Sequence, residues 1–300
     1  MSYPKILITA GLIIAACLAA LGQAGRRPVN SRDRATLINV VAVREDGSNA
    51  PITSKDIALY DDGIEQSIQN LMPDPGPARI VLLFDNSLTL RTDVPKLANV
   101  AREFAYEIYE GDQLLVAGFD ERAEQLSADW TDKTKDVEEA VALLRKKGNP
   151  HLFDAINDVV EVALRPLTGS NRKRVIVLVG DGLDRGSNTK FRDLLHELQK
   201  SDITVYALQI PDRTGGAHRR DQPKPTQVVQ QLVEGTGGRI LALDKPAESA
   251  KAICDELRKH RYLLSYAPTA LPYSEARRLL IVANPGINVR HKLAQPPNQR

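Results

Sequence analysis

The sequence predicts an α/β fold in which helices cover both faces of a central, mainly parallel sheet. Two continuous apolar runs, residues 80–84 and 175–179, have the length and composition of strands that are buried on both faces. Segments with helical periodicity alternate with such runs, and the clearest is 94–109, where apolar residues recur every three or four positions. This alternation is typical of βαβ crossovers and therefore of a parallel sheet.

A small β unit, residues 36–76, is predicted ahead of the α/β region. Its expected strands are 37–43, 57–60 and 66–71. The Asp-Asp-Gly sequence at 61–63 marks a turn, and the Pro-rich stretch 73–77 marks a linker to the next region. A unit of about forty residues buries too little apolar surface to be stable alone, so we expect it to pack on another part of the chain.

The central domain is predicted to occupy residues 77–245. Its expected strands are 80–84, 113–119, 123–126, 174–179, 204–210 and 239–242, and its expected helices are 94–109, 134–146, 152–164, 189–200 and 227–234. A further helix, 246–260, leads into residues 261–295, where the strand pattern returns. The strands expected there are 262–266, 277–282 and 288–293. We expect them to pair with the N-terminal unit, so that two distant segments build one composite β domain.

Residues 1–24 have the pattern of a signal peptide. Lys5 precedes an apolar stretch, 6–21, and the small residues at 22–24 have the spacing that signal peptidase prefers. We therefore expect an exported protein, periplasmic or extracellular, whose mature chain begins with a flexible lead, 25–35.

Two other fates of this segment stay open. The residues that end at Cys17 resemble a lipobox, in which Cys17 would carry a lipid anchor. The second alternative is an uncleaved anchor, for which the apolar stretch 6–21 is slightly short. No other contact with a membrane is predicted.

The charge and cysteine content narrow the range of functions. Lys and Arg (40) nearly balance Asp and Glu (38), which gives a net charge of +2. Because no basic stripe interleaved with aromatic residues is present, nucleic acid is not an expected partner. Removal of the signal would leave Cys254 as the single cysteine, so no intramolecular disulfide is expected. Cys254 lies in a helical pattern and is predicted to be a half-buried packing residue.

The best candidate for a functional site is a set of oxygen-bearing residues just beyond the two most apolar strands. Asp85, Ser87 and Thr89 follow the first of these strands, and Asp181 follows the second. Open α/β sheets bind ligands at the carboxyl ends of their strands. Carboxylate and hydroxyl oxygens at that edge are suited to a hard cation such as Mg²⁺.

These residues resemble the signature of the von Willebrand factor type A (VWFA) domain. Segment 84–89 resembles its Asp-x-Ser-x-Ser motif, and segment 179–184 resembles its later acidic loop. The Tyr-Asp-Asp-Gly turn at 60–63 and the closing segment 262–268 are similar to an exported bacterial (Acidobacteria-type) branch of the family. The resemblance covers residues 36–295.

The resemblance implies a Rossmann-like sheet and a metal-ion-dependent adhesion site (MIDAS). Carried over by position, Asp85, Ser87, Thr89 and Asp181 would hold Mg²⁺ or Mn²⁺, and an acidic side chain of a protein partner would complete the coordination. One position departs from the pattern, because Pro150 stands where the family has a threonine ligand. Proline has no side-chain oxygen, so the site is predicted to be partly degenerate.

Each candidate also has a purely structural interpretation. Asp85 would cap the segment after its strand, the two hydroxyls would bond to the backbone, and Asp181 would belong to an ordinary Asp-Gly turn. Asp154 is expected to have a structural role at the start of its helix, whereas Asp120 and Asp184 are expected to be solvated.

Three functions follow from these observations. The leading hypothesis is an exported, non-enzymatic binding module that recognises a protein at the carboxyl edge of the sheet, with Mg²⁺ if Asn149, His151 or water makes up for Pro150. The second is a metal-free, degenerate scaffold that binds through the composite β domain or the polar loop 213–224. The third and least supported is a serine hydrolase with Ser87 as nucleophile and His151 as base, because no Gly-x-Ser-x-Gly elbow is present.

Overall fold

The computed structural model describes residues 35–169, 172–211, 223–269 and 274–297. The chain divides into two units, Met1–Thr36 and Leu37–Arg300, and nearly all described residues belong to the second. The predicted signal peptide, with Cys17, and most of the loop 213–224 lie outside the described residues. What the sequence predicts for them stays a prediction.

Four strands precede the central sheet: β1 (Thr36–Arg44), β2 (Ile57–Asp61), β3 (Ile64–Gln66) and β4 (Ile68–Pro73). The turn between β2 and β3 consists of Asp62 and Gly63, both with positive φ (50° and 79°). This is the conformation that two-residue hairpin turns require, and an Asp-Gly pair adopts it readily.

A six-stranded, mainly parallel sheet forms the centre of the fold. Its strands are β5 (Ala78–Asp85), β6 (Gln113–Phe119), β7 (Ala123–Gln125), β8 (Lys173–Gly180), β9 (Ile203–Gln209) and β10 (Ile240–Ala242). Their spatial order is β10-β9-β8-β5-β6-β7. The edge strand β7 runs antiparallel to β6, and the other neighbouring pairs are parallel. The predicted α/β class is confirmed.

The register of the central strands determines where polar residues meet. β5 lies between β6 and β8, with Asp85 opposite Phe119 and Phe84 opposite Val179. Every residue of β5 is buried, so the strand is covered on both faces up to its final aspartate. The loops that follow β5 and β8 therefore leave the sheet side by side.

The helices cover both faces of this sheet. They are α1 (Val94–Glu107), α2 (Thr134–Val141), α3 (Leu152–Val159), α4 (Phe191–Lys200), α5 (Pro225–Thr236) and α6 (Pro246–Lys259). One buried apolar cluster joins α1, α2 and α6 to one face, and a second joins α3, α4 and α5 to the other. Within the described ranges, none of the helices combines the length and the apolar character that crossing a membrane requires.

Two helices end earlier than their sequence periodicity predicts. α2 stops at Val141 although the pattern continues to 146. α3 stops at Val159 and passes into a π-helical turn, Val160–Leu164, and a 3₁₀ turn, Arg165–Leu167. Pro166 lies in that last turn, where its missing N–H prevents a regular α-helical ladder.

A composite β domain is built from segments on either side of the central domain. The final strands are β11 (Arg261–Tyr266), β12 (Arg277–Ala283), β13 (Ile287–His291) and β14 (Ala294–Gln295). Two sheets result, with orders β13-β1-β11-β4 and β14-β12-β2-β3. The pairs β1–β13, β4–β11 and β2–β12 are antiparallel, so N-terminal strands pair with C-terminal strands as predicted. The residue boundaries proposed for the domains stay a prediction.

A buried ionic cluster lies where helix α6 and the central sheet contact the composite β domain. Glu256 of α6 is 3% exposed, and it accepts a hydrogen bond from the Tyr206 hydroxyl of β9 at 2.5 Å. It also pairs with Arg239 and with Arg290 of β13. Because a buried carboxylate is stable only when it is paired, Glu256 depends on these partners, which link α6 to β9 and β13.

Candidate functional site

Three loops meet at the carboxyl edge of the central sheet. The first loop, residues 85–89, follows β5; the second loop, 148–151, precedes α3; and the third loop, 180–187, follows β8. The Leu88 N–H of the first loop donates to the carbonyl of Gly148 in the second at 3.1 Å. The structure therefore brings together the segments in which the sequence places its candidate residues.

The first loop is organised by its own side chains. Asp85 is 1% exposed, and its Oδ1 accepts a hydrogen bond from the Ser87 N–H at 2.9 Å. The hydroxyls of Ser87 and Thr89 are 3.1 Å apart and share a hydrogen bond. Ser87 is buried and Thr89 is half-buried, so the oxygens run from the interior toward the surface.

Burial governs the charge of Asp85. Removal from water raises the pKa of this carboxyl to about 7, and the negative charge of Asp181 adds to the rise, whereas hydrogen bonds from Ser87 and the positive charge of Lys146 oppose it. Asp181 is also buried, and its Oδ1 accepts the Leu183 N–H at 2.9 Å. Two buried carboxyl groups that repel each other favour either protonation or a neutralising cation.

Gly180 determines how closely the third loop approaches the first. A Cβ atom at this position would lie 3.0 Å from the Cβ atom of Asp85, which is tighter than ordinary packing. The absence of a side chain therefore leaves room for the Asp85 carboxyl between the ends of β5 and β8.

The second loop is fixed by its backbone and supplies no hydroxyl. The carbonyl of Pro150 accepts the Arg185 N–H of the third loop at 2.7 Å, and the His151 N–H donates to the carbonyl of Asp120 at 2.8 Å. The His151 ring occupies the space beside Gly186, since a Cβ atom there would be 1.9 Å from Nε2. The second loop is thus bound to its neighbours on both sides.

This geometry gives little support to a serine nucleophile. The Ser87 hydroxyl pairs with Thr89, and the His151 ring packs against the third loop. A general base must be within hydrogen-bonding reach of the proton it removes. Asn149, the other residue considered as a substitute for the missing threonine, is exposed.

A cluster that the sequence analysis did not anticipate ties the third loop to the start of α3. Asp184 is 4% exposed, and its Oδ1 accepts hydrogen bonds from the Ser187 hydroxyl (2.5 Å) and the Phe153 N–H (3.3 Å). The Ser187 Oγ also accepts the Phe153 and Asp154 N–H groups, at 3.1 and 3.0 Å. The prediction that Asp184 is solvated was wrong, because Asp184 and Ser187 cap this helix from another loop.

Asp154 has a structural role, as predicted, but its partners lie just beyond the third loop. Its carboxylate accepts the N–H groups of Asn188 and Thr189, at 2.9 and 2.8 Å. Partial burial alone would raise its pKa, but the hydrogen bonds from Thr189 and Asn188 outweigh that effect and hold the pKa of Asp154 below its ordinary value.

Asn86 is a second residue that sequence reasoning missed. It is buried. Its side-chain Nδ2 donates to the backbone carbonyl of Arg145 at 2.8 Å, and its backbone carbonyl accepts the Lys147 N–H at 2.9 Å. These bonds anchor the first loop to the segment before the second loop. The sequence shows only a polar residue between two candidate ligands, with no local signal for such a distant partner.

The residues that could hold a metal ion are Asp85, Ser87, Thr89 and Asp181, and all four offer oxygen. In the described part of the chain, no group of three or more His, Cys, Asp or Glu side chains could hold a metal ion. Two of the four donors are hydroxyls. Such a set suits a hard cation better than zinc, which proteins hold mainly through thiolate and imidazole.

Several solved structures resemble this chain. An aerotolerance-related membrane protein from Bacteroides fragilis is 17% identical, with 61% of this chain and 99% of that one covered, at a TM-score of 0.47. A von Willebrand factor type A protein from Catenulispora acidiphila is 10% identical, with 88% and 73% covered, at 0.49. Proximal thread matrix protein 1 from the mussel byssus, whose MIDAS motif is occupied by zinc, is 16% identical, with 68% and 50% covered, at 0.46.

The family itself is established by a direct match of the sequence. The family model of the von Willebrand factor type A domain matches residues 80–251, which is more than half of the chain. No curated protein gives a significant match. The matched region runs from β5, which carries the first loop, into α6. This chain belongs to the von Willebrand factor type A domain family.

Proposed function

We propose that this protein is an exported, non-enzymatic binding module that holds Mg²⁺ or Mn²⁺ at Asp85, Ser87, Thr89 and Asp181 and binds a protein partner there. The proposal is carried by the arrangement of the first loop, in which a buried carboxylate adjoins two hydroxyls 3.1 Å apart. VWFA domains generally mediate contacts between proteins, and the proposed role is of that kind.

Electrostatics supports a cation at this place. An ionised Asp85 is penalised by burial and by repulsion from Asp181, and a divalent cation between them would reduce both penalties. Lys146 offsets part of the charge, but the hydrogen bond of its ammonium group goes to the Leu90 carbonyl. The carboxyl pair therefore remains suited to a stronger counter-ion.

The oxygen donors proposed above fit Mg²⁺, although Pro150 removes one protein ligand of the family pattern. The four proposed ligands offer carboxylate and hydroxyl oxygens, whereas the Pro150 carbonyl is already engaged with Arg185. Mg²⁺ commonly retains several waters in proteins, so water can replace the missing threonine at some cost in affinity. When bound, the cation would supply an open coordination position for an Asp or Glu side chain of the partner.

Titration of Mg²⁺ and Mn²⁺ into residues 25–300 by isothermal calorimetry tests the metal site. We expect saturable binding that is lost in Asp85→Ala and kept in Asp93→Ala, since Asp93 is exposed and makes no capping bond. A folded wild-type protein that gives neither heat nor a thermal shift with either ion would overturn the metal part of the proposal.

Export rests on the pattern of residues 1–24, and its route is open to a direct test. Membrane and soluble fractions of cells that express the wild type and Cys17→Ser are compared. Loss of membrane association in Cys17→Ser indicates a lipid anchor, and association of both proteins indicates an uncleaved anchor. Recovery of both in the soluble exported fraction indicates a cleaved signal.

A metal-free scaffold is the second candidate, and Pro150 is the observation that favours it. The second loop has no side-chain oxygen at that position, and its carbonyl is bound within the protein. In that case partners would bind through the composite β domain or the loop 213–224. A hydrolase is the least supported candidate, and it requires turnover of a generic ester that disappears in Ser87→Ala.

A further inference from the structure

An open groove of about 1220 Å³ lies beside the first loop, between the start of α1 and the ends of β9 and β10. Its lining includes the apolar residues Ile210 and Leu243, and its cations are Arg91, Lys96 and Arg102. Pockets for small molecules generally measure about 300–1,000 Å³. The groove therefore has room for a segment of polypeptide.

The charge of the groove is unbalanced. Asp244 is the acid that lines it, opposite three cations. Arg102 is paired with Glu138 of α2 at 3.1 Å. Arg91 and Lys96 are exposed, and neither forms an ion pair with another described residue. Two positive charges are thus directed at the groove without a partner in this part of the molecule.

Helix α1 adds to this positive potential. Its first turn contains no acidic residue, and Asp93 at its N-terminal cap makes no side-chain capping bond, so that carboxylate offsets only part of the positive charge. The N-terminus of a helix carries a partial positive charge, which favours an acid and disfavours a lysine. Lys96 lies in this first turn, where its positive charge adds to the partial positive charge of the helix N-terminus. Both charges favour an anionic ligand.

We propose that this groove binds an acidic, extended segment of a partner protein, with carboxylates at Arg91 and Lys96 and apolar side chains over Ile210 and Leu243. The inference rests on the proposed function, because it also assumes that a protein binds at this edge of the sheet. It does not require the metal ion. Arg91 follows Thr89 by two positions, so a segment in the groove would continue into the first loop.

A fluorescein-labelled peptide of alternating Glu and Leu residues, followed by fluorescence polarisation with the purified protein in EDTA, is the test. We expect saturable binding that weakens with added salt, and much weaker binding of matched peptides with Gln or Lys in place of Glu. The double variant Arg91→Glu/Lys96→Glu should weaken binding about tenfold or more. Arg192→Glu, an exposed position on the opposite face of the sheet, should leave it unchanged.

A gain of affinity keeps the test independent of folding defects. Asp244→Lys adds a cation to the groove and should strengthen binding of the Glu peptide, which a misfolded protein would not do. The proposal is overturned if the Gln or Lys peptide binds as well as the Glu peptide, if the double variant binds like the wild type, or if the Glu peptide gives no saturable binding.

The same measurements separate this inference from the metal site. Peptide binding that requires Mg²⁺, disappears in Asp85→Ala and survives in the double variant would place the carboxylate at the first loop; the groove would then fail while the proposed function stands. Peptide binding in EDTA that survives in Asp85→Ala, together with a silent Mg²⁺ titration, would support the groove and overturn the metal site.

Discussion

The first and second loops lie at the same edge of the sheet but are built in different ways. In the first, the polar side chains bond to one another and to their own backbone, as between Ser87 and Thr89. In the second, the backbone bonds to neighbouring segments, as between Pro150 and Arg185. The first loop is therefore organised by its side chains and the second by its backbone, and four changes would break or sharpen this comparison.

Removal of the cap at the start of α3, which directly follows the second loop, should have the largest effect. Asp184→Ala deletes a buried acceptor for the Phe153 N–H and the Ser187 hydroxyl. We expect a loss of about 2–4 kcal/mol in the free energy of unfolding, measured by urea denaturation, because the buried Ser187 hydroxyl loses its acceptor and the Phe153 N–H keeps only its bond to the Ser187 Oγ. Asp244→Ala, at an exposed position, should change stability by less than about 0.5 kcal/mol. Equal effects of the two variants would contradict the capping role of Asp184.

Removal of the Asp85 charge from the first loop should stabilise the metal-free protein. Burial and Asp181 raise the pKa of Asp85 from 3.8 to about 7, so the stability that its neutral form provides is complete below pH 3.8 and is lost as the pH rises through about 7. Asp85→Asn in EDTA should therefore gain about 1–3 kcal/mol at pH 8, measured by urea denaturation. At pH 4 the gain should vanish, and a gain that persists there would contradict this account.

Restoring a hydroxyl to the second loop should strengthen the metal site. Pro150→Thr supplies the side chain that the family pattern has at this position, and we expect Mg²⁺ to bind about tenfold more tightly by calorimetry, which corresponds to about 1.4 kcal/mol. Pro150→Val is the matched control, because valine has the shape of threonine without its oxygen. If both variants bind Mg²⁺ equally well, the hydroxyl is not a ligand.

The smallest effect should be a pH dependence of opposite sign at the start of α3. Hydrogen bonds from Thr189 and Asn188 hold the pKa of Asp154 below 3.8, so its contribution to stability is present above that value and is lost as the pH falls. Asp154→Asn should reduce stability by less than about 1 kcal/mol at pH 7, and the difference should shrink as the pH falls below 3.8, as thermal melts would show. A deficit that persists in acid would indicate a role other than that of the ionised carboxylate.

The sequence was sufficient to predict the elements that depend on local composition. The apolar runs located β5 and β8 to within one or two residues at each end, and β6 was predicted with its observed bounds. The candidate ligands follow from these strands, because a buried strand that ends in a polar residue places it at the sheet edge.

Contacts between distant segments could not be read from local patterns. The segment after α2 has the periodicity of a helix, but its backbone is used by the first loop, since the Asn86 side chain and carbonyl bind Arg145 and Lys147. Nothing near Asp184 in the sequence indicates that it caps α3, so the local pattern predicts a solvated residue. In both cases a tertiary hydrogen bond overrides the local preference.

In the composite β domain, strands near the start of the described chain can pair fully only with strands near its end. Asp61 and Arg277, which form a buried ion pair, are 216 residues apart. During synthesis, β1, β2 and β4 lack their C-terminal partners until the whole central domain has been made. A chain cut short before β11 would leave these strands with open edges, which are sites of aggregation and proteolytic attack. The topology therefore distinguishes complete from truncated chains, because only a chain that includes β11, β12 and β13 can cover the edges of β1, β2 and β4.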